Sequence, residues 1–329
     1  MIRALLSALL LSLLLACGCA STPSSGAVTQ PLDESRTITA GTAIPPSVER
    51  LPAQEEAAAP DDRSGVGPLL RVPDIVGDGE AFAVEFEAPG AQRVDLLWRG
   101  RTLTLSAPDP RTGIFKALLP VPLDEKAESL PLVVAAHWAD GKREHFTADL
   151  AVNRRSYPVQ RLTVEPKFVT PPKEMEEKIK RDRAEMRAAV RTVSAHRYWN
   201  LPMLRPIPGD VTSQYGLRRV FNEQARNPHR GLDLRGGEGD PIHAADDGII
   251  VLVSDHYYGG KTVVIDHGLG VLTAYLHLSG FNAHTGQQVK RGDVIGFVGS
   301  TGRVTGPHLH LSLYALGESI NPLPLLSNK

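Results

Sequence analysis

The run His308-Leu309-His310-Leu311-Ser312-Leu313 alternates polar and leucine side chains without a break. Period-two alternation marks a strand with one face in a core and the other outside it. The three leucines therefore belong to packed interior, and His308, His310 and Ser312 look together into a groove. Neighbours i and i+2 on that face are about 7 Å apart, so one imidazole can bind a metal ion while the other reaches water beside it. A second such strand is read at Thr273-Ala274-Tyr275-Leu276-His277-Leu278. The same rule puts Tyr275 and His277 on one face and Leu276 and Leu278 on the other. A third piece is His229-Arg230-Gly231-Leu232-Asp233. In a straight strand His229 and Asp233 would lie about 13 Å apart, too far to meet one ion. A bend is required, and Gly231 can supply it. His229 is then a loop residue and Asp233 the first residue of a strand.

Together these pieces read as one zinc site with its catalytic histidines. Catalytic zinc sites commonly have three protein ligands and leave the fourth position to water, whereas structural sites fill all four, usually with cysteine. The chain has only two cysteines, Cys17 and Cys19, both at the N-terminus, so no thiol is available and a catalytic site is indicated. Zinc can bring the pKa of bound water down to roughly 7. No H-E-x-x-H run supplies a glutamate base, so histidines must move the protons. A lone H-x-x-x-D arises by chance; the weight lies in the ordered combination. His243, His256, His267 and His284 receive no role, and His267, before Gly268, reads as a turn residue.

The 329 residues are a prior for about two domains, and 42% apolar content is enough for ordinary packed cores. A net charge of -1 gives no global pull toward nucleic acid, and no such partner is expected. Residues 1–17 pair a basic Arg3 with an apolar run from Ala4 to Leu15, too short to span a membrane, and read as a secretory leader. Leu14-Leu15-Ala16-Cys17 resembles a bacterial lipobox, which makes Cys17 the expected lipidation site and Cys19 the second candidate. Residues 18–66, rich in Ser, Thr, Ala, Pro and Glu, lack a hydrophobic period and read as a disordered tether.

Period-two patterning fills residues 67–157, with Phe82, Val84 and Phe86, then Val94, Leu96 and Trp98, then Leu103 and Leu105, then Phe115, Ala117 and Leu119, and finally Phe146 to Val152. Short strands at this spacing predict a small immunoglobulin-like β-sandwich. His137 and His145 stand alone there. Residues 158–200 carry an amphipathic helix, with Thr170 as N-cap, Pro171 at the first position and Met175, Ile179, Met186 and Val190 on one face. Glu174/Lys178, Glu176/Lys180 and Glu177/Arg181 are spaced as i,i+4 pairs. From 201 to 329, strands over 248–253, 262–266, 271–278, 294–298 and 308–314 predict an antiparallel β domain. The chain as a whole is expected to be mainly β.

One family resemblance covers roughly residues 210–322. It is carried by Ser213-Gln214-Tyr215-Gly216-Leu217-Arg218, His229 to Asp233, the 241–248 segment, Tyr275-Leu276-His277-Leu278-Ser279, Val289-Lys290-Arg291-Gly292, Gly299-Ser300-Thr301-Gly302 and Gly306-Pro307-His308-Leu309-His310. These resemble the lysostaphin-like (LytM) zinc metallopeptidases, which hydrolyse peptide bonds of bacterial peptidoglycan. The resemblance implies one zinc ion on His229, Asp233 and His310, with His277 and His308 catalytic, and peptidoglycan stem peptides as substrate. It leaves open which of the two histidines is base and which acid. The competing expectation is a non-catalytic LytM domain that activates a cell-wall amidase as its regulatory partner. A third is a zinc protease acting on protein.

A lipid anchor would hold the chain in the cell envelope. Gly18 stands where lipoproteins retained at the inner membrane typically carry aspartate, so the periplasmic face of the outer membrane is expected. Cys17→Ser should move the protein from the membrane fraction to the soluble one on fractionation. Unchanged partitioning of that variant would reject Cys17 as the anchor.

Overall fold

The computed structural model describes residues 67–109 and 112–327. The expected leader, Cys17, Cys19 and the tether lie outside the described residues. Alternation in Ala81–Glu87 turns Phe82, Val84 and Phe86 inward, each nearly fully buried. The same physics sets the strands around it: β1 (Leu69–Arg71), β2 (Ile75–Gly77), β3 (Ala81–Glu87), β4 (Ala91–Trp98), β5 (Arg101–Leu105), β6 (Ile114–Pro120), β7 (Ser129–Trp138) and β8 (Arg143–Asn153). They form two sheets, β1-β3-β6 and β2-β8-β7-β4-β5. Pairing is antiparallel except for β2 beside β8. The inner faces meet in a core that includes Phe86, Trp98, Phe115, Leu132 and Leu150. Trp98 packs edge-on against Phe82 at 5.0 Å between ring centroids, and its Nε1–H donates to the Pro120 carbonyl at 2.7 Å. β7 was not among the strands expected from alternation. It lies between β4 and β8, and its Val133-Val134-Ala135-Ala136 run is apolar on both faces, which hides the period.

After the sandwich, β9 (Val159–Leu162) pairs in parallel with β11 (Arg218–Phe221), which also pairs with β12 (Gln224–Ala225). The helix starts later than its sequence signals imply. α1 runs Glu176–Val190 after short 3-10 turns at Pro166–Phe168 and Lys173–Met175. Thr170 does not cap it; Met175 is the N-cap and makes no side-chain cap bond. Consecutive prolines explain the delay: a proline disfavours helical backbone at the residue before it, and Pro172 itself is extended (φ -58, ψ 145). Lys178 pairs forward with Asp182 rather than back with Glu174. Of the expected stripe Ile179 and Val190 are buried, joined by Ala189, whereas Met186 is half-buried and Met175 precedes the helix. Ala189 packs with Leu252, Val264, Leu272 and Ala274 on the outside of the following sheet.

That sheet uses β10 (Val211–Ser213), β13 (Leu232–Arg235), β15 (Gly248–His256), β16 (Gly260–Asp266), β17 (Val271–Leu278), β19 (Gln288–Val289), β21 (His308–Ala315) and β22 (Glu318–Ile320). Its order is β10-β13-β21-β17-β16-β15-β19, with β22 beside β21, and every pair is antiparallel. A smaller sheet, β14 (Pro241–His243), β20 (Val294–Phe297) and β18 (Gly280–Phe281), contributes Ile242 and Ile295 to the shared core. Leu309, Leu311 and Leu313 are fully buried in that core, as the alternation requires.

The two β units are joined by apolar and polar contacts. Leu118 of β6 is buried in the C-terminal core, and Leu269 and Leu316 in the sandwich core. Arg101 donates to the Leu316 carbonyl at 2.7 Å, and the Asn321 N–H donates to the Gly79 carbonyl at 2.7 Å. Removing a buried leucine from a well-packed site costs about 2–5 kcal/mol. Leu118→Ala is therefore expected to lower the chemical-denaturation midpoint of both units together. A shift confined to the sandwich would show that Leu118 does not couple them.

Candidate metal centre

Strand register assembles the site. In the β13–β21 ladder Asp233 stands directly opposite His310, and in the β17–β21 ladder Leu276 stands opposite His310. His229 precedes β13 in a loop held by two main-chain bonds, Gly216 N–H to the His229 carbonyl at 2.8 Å and His229 N–H to the Leu217 carbonyl at 2.9 Å. Asp233 is the second residue of β13. His229 Nε2, Asp233 Oδ1 and His310 Nδ1 form a triangle with edges of 2.9, 2.8 and 3.0 Å. All three residues are largely buried.

Proton accounting identifies what the triangle can hold. His229 Nδ1–H donates to the Gln214 carbonyl at 2.7 Å, which leaves Nε2 as a lone pair. Ser312 donates its hydroxyl to the Arg230 carbonyl at 3.0 Å, so its oxygen accepts from His310 Nε2–H at 2.9 Å, and His310 Nδ1 is the second lone pair. Burial is the main influence on His310 and holds its pKa down to about 4, so it is neutral at pH 7. Burial pushes the Asp233 carboxyl up, yet the close approach of His229 and His310 holds it well below the usual carboxylate range. Two imidazole lone pairs and a carboxylate oxygen thus face one another. A cation satisfies that arrangement, and two nitrogens with one oxygen are a donor set that zinc accepts at about 2.0–2.2 Å. Arg219 Nη2 holds the other carboxylate oxygen of Asp233 at 2.8 Å and also reaches Ser213 Oγ at 3.2 Å.

His277 and His308 border the same site, with ring centroids 5.0 Å apart. His277 Nδ1–H donates to the Thr301 carbonyl and His308 Nδ1–H to the Gly306 carbonyl, each at 2.8 Å. Both therefore keep Nε2 free to accept. His308 Nε2 is 3.8 Å from Asp233 Oδ1. Burial, then the His310 and His308 neighbours, hold the His277 pKa well below its ordinary value.

Two expectations about these strands are corrected. Tyr275 and His277 do not share a face. The β16–β17 register slips between Lys261 and Val263, and His277 adopts φ 69. This bulge turns His277 to the groove beside Leu276, while Tyr275 and Leu278 both enter the core. Positive φ on a non-glycine residue is strained backbone of the kind found at functional sites. Gly231 also serves another purpose than a left-handed bend, since it is not among the positive-φ residues. A Cβ there would collide with the His310 ring. Glycine is needed for room.

His267 is fully buried, with Nδ1 2.7 Å from the Asp247 carbonyl and Nε2 2.7 Å from Thr273 Oγ1. Burial holds its pKa down to about 4, and it serves the core. Arg219, Thr301 and the Gln214 carbonyl were not anticipated as supports. Gln214 and Thr301 both lie in segments that carry the family resemblance, but a main-chain acceptor leaves no mark in side-chain pattern. Gly231→Ala should displace His310 and weaken binding of a divalent cation by about tenfold or more while the far-UV spectrum stays unchanged. Equilibrium dialysis showing undiminished affinity would contradict the steric role of Gly231.

Residues 227–322 match Peptidase family M23. The peptidoglycan DD-endopeptidase ShyA of Vibrio cholerae serotype O1 is 42% identical over 114 residues, which is 34% of this chain and 26% of that protein. The DD-carboxypeptidase/endopeptidase Mpg of Neisseria meningitidis serogroup B is 45% identical over 113 residues, again 34% and 26%. The chain thus spans about a quarter of the length of the curated relatives it matches. A solved Pseudomonas aeruginosa structure assigned to peptidase M23 superposes with a TM-score of 0.58 at 26% identity, covering 77% of this chain and 94% of that one. The C-terminal β unit accordingly has the fold of Peptidase family M23, with the match over residues 227–322.

Proposed function

We propose that the chain is a zinc-dependent endopeptidase that hydrolyses the peptide cross-links of bacterial peptidoglycan. The observation that carries this reading is the pairing of three convergent metal donors with two further imidazoles whose Nε2 atoms are free. Resemblance to one relative named a peptidoglycan DD-endopeptidase and another named a DD-carboxypeptidase/endopeptidase supports a cross-link between D-residues as the bond attacked.

His229, Asp233 and His310 would hold the ion. Zinc, when bound, supplies Lewis acidity toward a carbonyl oxygen and toward water. His277 and His308 do the remaining work. Their Nδ1–H groups are tied to main-chain carbonyls, so each ring is fixed and each Nε2 can take a proton. A low pKa keeps His277 neutral and ready to accept at pH 7. One ring accepts the proton of the attacking water, and the protonated form then donates to the leaving amine. The groove around the site, about 760 Å³, has room for an extended peptide. The reading includes anchorage through a lipidated Cys17 and action at the periplasmic face of the outer membrane.

The test uses the chain without its leader on cross-linked muropeptide dimers. Conversion to monomers should stop with chelator and return with zinc. His310→Ala should lose stoichiometric zinc. His277→Ala should keep zinc and lose about 10²–10⁴-fold in rate, the usual range for a general acid–base group. Full activity of His277→Ala would remove it from catalysis. No cleavage, together with stimulation of an added amidase, would establish the activator reading instead.

A further inference from the structure

The groove that holds His229, His277 and His310 is also lined by Arg303, Arg226 and Arg183. Arg303 sits on the loop that also carries Thr301, whose carbonyl orients His277. That loop is docked backbone to backbone on the turn before β16. Arg303 N–H donates to the Tyr258 carbonyl at 2.9 Å, and a Cβ on Gly302 (φ +76) would meet the backbone of residues 258–260. The guanidinium is held between two rings, 4.7 Å from the Phe221 centroid and 4.7 Å from that of Tyr258. It is therefore held in place, half-buried, in the lining of the groove.

Its charge has no counter-ion. Among the described residues no carboxylate pairs with Arg303 or Arg183, and neither has an unprinted partner. The acids nearby are committed elsewhere: Asp233 to Arg219 and the two histidines, and Asp182 to Lys178 and the Tyr257 N–H. Arg226 is held by the Val169 carbonyl and Gln224, which keeps a second positive charge close by. Burial is the main cause that holds the Arg303 pKa down to about 10; Tyr258 opposes the shift, while Arg219, Arg226 and Arg183 all push the same way. Like charges gathered in a half-buried groove without an anion are costly. A planar guanidinium is suited to a two-pronged bond with a carboxylate.

We infer that Arg303, backed by Arg183 and Arg226, forms a subsite for a free carboxylate of the peptide that lies in the groove, and so selects carboxylate-bearing over amidated stems. The inference rests on the proposed peptidase function, since it places a substrate peptide in the same groove. Arg303 acts here as a specificity residue and takes no part in proton transfer.

The test measures binding, so that it stands apart from hydrolysis. Fluorescently labelled stem peptides with free carboxylates, and the same peptides with those carboxylates amidated, are titrated into the chelator-treated chain. The wild type should prefer the free carboxylate by about tenfold or more, the scale of one charged hydrogen-bonded contact. Arg303→Met keeps a stem against Phe221 and Tyr258 but removes the charge, and should abolish the preference while leaving affinity for the amidated peptide within about twofold. Arg303→Lys should restore part of it. Equal affinity of the wild type for both peptides, an unchanged preference in Arg303→Met, or no binding of either peptide would each overturn the subsite. Preferential binding without any cleavage by the zinc-loaded chain would preserve the subsite and count against the peptidase reading alone.

Discussion

The pairing of β13 with β21 is the constraint on which the site depends. It sets Asp233 opposite His310 and Leu232 opposite Leu311 in one register. Side chains alternate across a strand, so a slip of one residue would send the histidines into the core and the leucines into the groove. Leu232, Leu234, Leu309 and Leu311 are all fully buried on the other face. The hydrophobic free energy of those leucines is therefore what holds the metal donors in register. The polar site is stabilised from behind by an apolar layer that touches none of its chemistry.

The backbone decides how each imidazole can act. Three of the four site histidines give Nδ1–H to main-chain carbonyls, at Gln214, Thr301 and Gly306, and the fourth gives Nε2–H to Ser312. The tautomers follow from these acceptors. His229 and His310 consequently present opposite ring nitrogens to the same point. Ring orientation and basicity are tuned by the group on the far nitrogen, as in metal sites generally. Burial adds to this by disfavouring the protonated form of His310 and His277, which keeps their lone pairs available.

Segments upstream of the peptidase unit contribute to its surroundings. β9 extends the small sheet that contains β11. α1 lies on the outside of the large sheet and is fastened near the groove by polar bonds. Glu185 meets His256 Nε2 at 2.9 Å, Asp182 accepts from the Tyr257 N–H at 2.6 Å, and Lys178 donates to the Asp255 carbonyl at 2.6 Å. Ile179 and Met186 of the same helix line the groove beside Arg183. One wall of the groove thus comes from outside the residues matched to the family.

The sequence by itself determined the mainly β architecture, the two faces of β21 and the clustering of His229, Asp233, His277, His308 and His310 as the chemically interesting set. Period-two alternation is a local property, and each leucine must be buried whatever its partner. It also marked α1, though not its start, because the double proline overrides the cap signal at Thr170. Only the tertiary structure decided that Tyr275 and His277 part company, since the bulge arises from the pairing of β16 with β17 and leaves no local signature. Tertiary contact likewise gave Gly231 its purpose, room for a ring 79 residues further along the chain. The unpaired charge of Arg303 is of the same kind. Its meaning depends on the nearby carboxylates, Asp182 and Asp233, being committed to other partners, and on neighbours from α1, β11 and the turn before β16 that folding alone brings together.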